Sequence, residues 1–236
     1  MARDLLREGV KDLFNSPDMS DLTIRCQGHT WRVHKAVLST QSDYFSCAIK
    51  NGFKVIRDAC ASWRHRTNTT GQETHENLVT LHEDDPNIVH LMLEFLYRGE
   101  YHATLLPGDV LSIPEIHVRV LELADKYLLP DLRKVAINHF ENITTSDLPC
   151  DYGWHSEAYG KAIVYIYNNM TANVSEHLRR VILVSVVGER IKSIFGAEND
   201  EPGRYIRPAL SQAPCFSTAV ALFLGCLAVP TEAEHW

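Results

Sequence analysis

Apolar and polar positions alternate from Leu22: Leu22, Ile24 and Cys26 are separated by Thr23 and Arg25, the period of a half-buried strand. Gln27-Gly28 supplies a turn, and Trp31 and Val33 alternate with Thr30 and Arg32 in a second short strand. The period then becomes helical, with Val37 and Leu38, then Tyr44 and Phe45, then Ala48 and Ile49. A hairpin that feeds directly into helices leaves one sheet face for those helices to cover.

Before the hairpin, residues 4 to 15 place Leu6, Val10, Leu13 and Phe14 on one side of a helix. An isolated helix this short is marginal in water, so its apolar side must dock on something. The turn cluster Asn15-Ser-Pro-Asp-Met-Ser20 separates it from the first strand. A third strand is expected from Leu78 to Leu81, apolar on both faces and therefore without a register. His82-Glu-Asp-Asp85 could supply metal ligands, but acidic residues also suit a helix N-terminus, with Asp85 as cap and Pro86 at the first position. Ile88, Leu91, Met92, Phe95 and Leu96 make the core stripe of that helix, which Gly99 closes.

Ala103 to Pro114 is rich in turn residues. A helix follows with Val118, Leu121, Ala124 and Leu128 on one side; Pro130 interrupts it, and Leu132, Val135, Ala136 and Phe140 resume the pattern. Thr144 to Trp154 is expected to be a linker. Beyond it, Ile163/Tyr167/Met170, Leu178/Val181/Ile182 and Ile191/Ile194/Phe195 predict helices, and a last one lies near Ser217 to Val229.

The blocks D-L-T-I-R-C, H-T-W-R-V-H-K-A-V-L and S-D-Y-F, in that order, resemble the opening of a BTB/POZ domain. Asn77 to Pro86, Phe95 to Tyr101 and Leu123-Ala-Asp-Lys-Tyr127 continue the resemblance, which covers roughly the first 145 residues and looks nearest to short BTB proteins of filamentous fungi. It implies an α/β (α+β) fold: a leading helix at 1–20, a small sheet covered by helices at 20–145, and an all-helical tail at 155–236. In family members with such a leading helix, the helix packs across a two-fold interface. The resemblance thus assigns Leu6, Val10, Leu13 and Phe14 to a homodimer contact, the alternative being a cap on the chain's own core. Asp21 and Lys35 match positions that face a charged pocket near that seam, although a plain structural ion pair accounts for them equally. His34 reads as a hydrogen-bonded residue at a helix start.

Residues 55 to 72 depart from the family pattern, which passes from G-F-K directly to an acidic residue. The insert has neither period and carries a charge of +2 in a chain of −7. We hypothesise that it is translated intron sequence. Val55 requires a codon beginning GT, Gln72 allows CAG, and Thr67-Asn68 can be written ACTAAC, which contains a branch-point sequence. A surface loop is the competing reading. A mature transcript that keeps these codons in frame would end the intron hypothesis. The insert separates Phe53-Lys54 from Glu73, a hydrophobic-x-Glu triplet through which many BTB proteins bind a cullin scaffold. The resemblance therefore offers a second role, as the substrate receptor of a cullin-3-type ubiquitin ligase.

The charge of −7, from 23 Lys plus Arg against 30 Asp plus Glu, gives no basic excess for nucleic acid or anionic membrane. The apolar run from Ala219 to Val229 is too short for a bilayer, which needs about 20 residues. The amino end lacks the apolar centre of a signal peptide, and six dispersed cysteines read as reduced thiols, so cytosol or nucleus is the expected compartment. No phosphate-binding, zinc-protease or nucleophile-elbow motif occurs. The expectations are no catalytic residue, no metal, no cofactor, and partners limited to itself, a cullin scaffold or an unidentified protein.

Overall fold

A computed structural model of the chain describes residues 9–50, 77–103, 111–145, 153, 156–188 and 204–228. It divides into two compact units: Met1–Pro107 with Arg119–Val135, and Gly108–Val118 with Ala136–Trp236.

The first unit carries a three-stranded sheet in the order β2-β1-β3, formed by β1 (Leu22–Cys26), β2 (His29–Val33) and β3 (Leu78–Leu81). Gln27 and Gly28 both take positive φ, 43° and 89°, as the tight hairpin turn demands. β1 pairs antiparallel with β2 and parallel with β3, which fixes the register that the apolar pattern of Leu78–Leu81 left open. Ile24 stands between Trp31 and Val79, and Cys26 stands beside Leu81. All five are buried, while Arg25 and Arg32 face outward, so the alternation of the sequence becomes one apolar sheet face.

Helices α1 (Lys35–Gln41), α2 (Asp43–Lys50) and α3 (Pro86–Arg98) follow. α3 starts and stops as its sequence requires. The Asp85 carboxylate accepts from the Asn87 amide at 2.8 Å, Pro86 opens the first turn, and Gly99 closes the helix at φ 76°. Every residue from Leu91 to Tyr97 is buried. Among them is Glu94, whose carboxylate is held by Arg98 and His102, each at 3.0 Å, and by the His102 amide at 3.1 Å.

Helices α4 (Ile113–Lys126) and α5 (Pro130–Thr145) contribute to both units. Leu128 does not continue the α4 stripe. It sits between the helices at φ 50°, half-buried, while Tyr127 and Leu129 on either side are buried. The proline is the physical reason, because the residues ahead of it cannot extend the helix through it.

In the second unit, α5 runs to Thr145, past the expected start of the linker. Thr144 is buried with its hydroxyl 2.8 Å from that of Tyr159. The tail adds α6 (Glu157–Asn168), α7 (Ala172–Val181), a π-helical segment (Ile182–Gly188), α8 (Ile206–Gln212) and α9 (Pro214–Ala228). Ser156 caps α6 by accepting from the Tyr159 amide. Gly160 is required where it stands, since a Cβ there would meet the Tyr205 carbonyl oxygen at 2.6 Å. The expected helix around Ile191, Ile194 and Phe195 lies outside the described residues.

His117 on α4 is buried, its ring 5.0 Å from that of His139. Burial, and then the neighbouring His139, pull its pKa down from 6.5 to about 3. The unfolded chain therefore binds this proton more readily than the folded one. The stabilising contribution is complete above pH 6.5 and shrinks as pH falls toward 3, by at most about 1.4 kcal/mol per pH unit. Urea unfolding at pH 7 and pH 4.5 is expected to show the lower midpoint at pH 4.5. His117→Phe is expected to narrow that difference.

Candidate interaction surface

Residues 9 to 12 form a helical turn, and Leu13 to Asn15 continue it as a turn. The Leu13 amide bonds the Val10 carbonyl at 3.2 Å, and the Phe14 amide bonds that of Lys11 at 3.1 Å. Asn15 leaves the turn at φ 55°, a conformation asparagine tolerates. Its side-chain oxygen accepts from the Arg32 amide at 3.3 Å, fastening the turn to β2.

The four residues assigned to a dimer contact separate on inspection. Leu6 lies outside the described residues. Phe14 turns inward: its ring packs 5.3 Å from His90 and 5.5 Å from Tyr97 of α3, with the Arg98 guanidinium 5.5 Å from its centroid. That is a cap on the chain's own body, worth on the order of 0.5–1.5 kcal/mol beyond the area it covers. Val10 and Leu13 remain partly exposed. Met19 follows, 80% exposed and at φ 56°. An uncovered methionine, flexible and polarisable, suits an adaptable contact surface.

Asp21 and Lys35 come together, but not as an ion pair. The Asp21 carboxylate accepts from the backbone amide of Lys35 at 2.8 Å, binding the entry of β1 to the first turn of α1. The Lys35 ammonium instead reaches the side-chain oxygen of Asn77 at 2.6 Å. The two residues thus tie β1, α1 and the approach to β3, and both carry exposed polar atoms there.

Between them, His34 is buried and wholly engaged. Its amide donates to the Tyr97 hydroxyl at 2.9 Å, its Nδ1 lies 2.9 Å from the same hydroxyl, and its Nε2 lies 2.8 Å from the Asp18 carbonyl. A carbonyl only accepts, so Nε2 carries the proton, and in the neutral ring Nδ1 accepts from the tyrosine. The arrangement is a fastener for the turn before β1. Burial, and secondarily the Asp21 charge, push the Tyr97 hydroxyl up to about 12.

The sequence reading missed a polar cluster at the base of the sheet. Asp84, one residue before the helix cap, is buried. Its carboxylate holds the Lys126 ammonium at 2.7 Å and accepts from the Tyr127 hydroxyl at 2.6 Å. Its carbonyl accepts from the Cys26 thiol at 3.1 Å and from the Gln27 side chain at 2.9 Å. Burial, then the Asp84 charge, push the Cys26 thiol up to about 11 and the Tyr127 hydroxyl well above its usual value. A thiol held so strongly protonated is a poor nucleophile, and the cluster joins β1, the end of β3 and α4 mechanically. The signal was present in Asp84-Asp85 and in Leu123-Ala-Asp-Lys-Tyr127, but only spacing in three dimensions pairs them.

Phe53, Glu73 and residues 55 to 72 lie outside the described residues. Among the described residues there is no group of three His, Cys, Asp or Glu able to hold a metal. Nor is any helix among them long and apolar enough to cross a membrane.

A family model of the BTB/POZ domain matches residues 10–144. The chain is similar to TD and POZ domain-containing protein 4 of Mus musculus, 26% identical over 137 residues, which covers 56% of this chain and 29% of that protein. It is also similar to Kelch-like protein 41b of Danio rerio, 24% identical over 137 residues, covering 58% and 18%. The matches thus span less than a third of the length of these curated relatives. Among solved structures, the BTB (Tramtrack and Bric a brac) domain of human Gigaxonin aligns with a TM-score of 0.38 and 18% identity, over 58% of this chain and 88% of that one. These three are vertebrate proteins, and the resemblance to fungal members rests on the sequence blocks. The family match covers more than half of the chain, which belongs to the BTB/POZ domain family.

Proposed function

We propose that the chain is a protein–protein interaction module that pairs with a second copy of itself through its leading segment and serves as an adaptor scaffold. The observation that carries the reading is the partly uncovered run Val10, Leu13 and Met19, in a chain whose family match begins at residue 10. A symmetric contact needs one self-complementary patch, and a rigidly fastened one loses less entropy on pairing. Asn15, Asp18 and Asp21 supply the fastening through Arg32, His34 and Lys35. Two differently tagged copies expressed together should co-purify. Recovery of one tag alone from a soluble, folded preparation would count against the reading.

A second reading, receptor for a cullin-3-type ligase, rests on the residues Phe53-Lys54 and Glu73 that the 55–72 insert keeps apart. It requires that removing residues 55 to 72 increase cullin recovery in affinity purification, and that Glu73→Ala abolish the gain. Equal recovery from all three chains would dismiss it.

A further inference from the structure

The tail carries a groove of about 510 Å³ lined by both polar and apolar residues. Along one side run Asn173, Glu176 and Arg180 of α7, continued by Leu183 and Val184 of the π-helical segment, and Phe223 of α9 also lines the groove. Val184 is 44% exposed, and Leu222, beside Phe223, is 67% exposed. Arg179, also at the groove, is committed to its own body: it donates to the Ile166 and Met170 carbonyls at 3.2 and 3.0 Å and lies 4.7 Å over the Tyr167 ring. Glu176 and Arg180 are different. Both are exposed, and among the described residues neither makes an ion pair, although they stand one helical turn apart on the same face.

We propose that this face is a second self-association surface, in which α7 of one copy lies antiparallel to α7 of another. The charge order decides the occupant. A two-fold axis between residues 176 and 180 brings Glu176 of each copy to Arg180 of the other. Two attractive pairs then form about 6 Å apart along the helix, a separation set by the rise of four residues. The exposed Val184, four residues beyond Arg180, continues the same face beside these pairs. The surface is independent of the leading segment, so the two contacts together would join pairs into larger assemblies.

The test uses the full chain and charge reversal. Glu176→Arg alone gives two Arg–Arg encounters, and Arg180→Glu alone gives two Glu–Glu encounters. Each is expected to weaken this step at least about tenfold, seen as a lower sedimentation mass than wild type at about 1–100 µM. An equimolar mixture of the two variants restores both attractive pairs and should regain the wild-type mass. Unchanged masses in the single variants, with circular dichroism intact, would overturn the proposal and leave the groove to residues 229–236 or another protein. Failure of the mixture to recover would overturn it equally.

Discussion

Asp84→Ala is expected to destabilise the first unit by about 3–5 kcal/mol, the range for removing one partner of a buried ion pair. The carboxylate is 7% exposed and Lys126 20%, so solvent screening relieves little of the loss. Three consequences combine. The Lys126 ammonium loses its counter-charge, the Tyr127 hydroxyl loses its acceptor in a buried site, and the space left is too polar to close by packing. Tyr127→Phe removes only the hydroxyl and should cost about 1–2 kcal/mol, because the ring contacts with Tyr44 and Phe45 persist. Denaturant unfolding of both variants supplies the comparison. If Asp84→Ala were no more damaging than Tyr127→Phe, the cluster would not be the joint described above.

The second large effect concerns assembly. Leu6→Asp combined with Val10→Asp should abolish pairing through the leading segment, since closing the contact would strip water from four carboxylates. A loss of affinity of at least about a hundredfold follows if each buried carboxylate costs only about 1 kcal/mol. Phe14 is unsuitable for the purpose: its ring packs on His90 and Tyr97 of its own chain, and substituting it would confuse folding with assembly. Light scattering that finds the double variant still paired would remove the leading segment from the interface.

The hairpin was legible because alternation, a two-residue turn and burial all point the same way at Leu22 to Val33. The limits of α3 were legible for a similar reason: Asp85, Pro86 and Gly99 act on their immediate neighbours, so spacing along the chain suffices. Leu128 was misplaced on a helical stripe because the period of Leu121 and Ala124 runs on past the point where Pro130 stops the helix. Partnerships over long separations could not be read. Asp84 meets Tyr127 across 43 positions and His34 meets Tyr97 across 63, and no local rule selects such pairs. For Asp21 and Lys35 the expected ion pair is replaced by another bond, since a backbone amide took the carboxylate ahead of the ammonium. Of the tail helices, α6, α7 and α9 were visible as periods and α8 was not, and the groove between α7 and α9 depends on packing that periodicity does not contain.

Sedimentation equilibrium of the Glu176→Arg chain, with the tail contact disabled, goes straight to whether the leading segment joins two copies. The expected result is a mass of twice 26.8 kDa, held down to about 1 µM. A mass of 26.8 kDa up to about 100 µM, from folded protein, would contradict it.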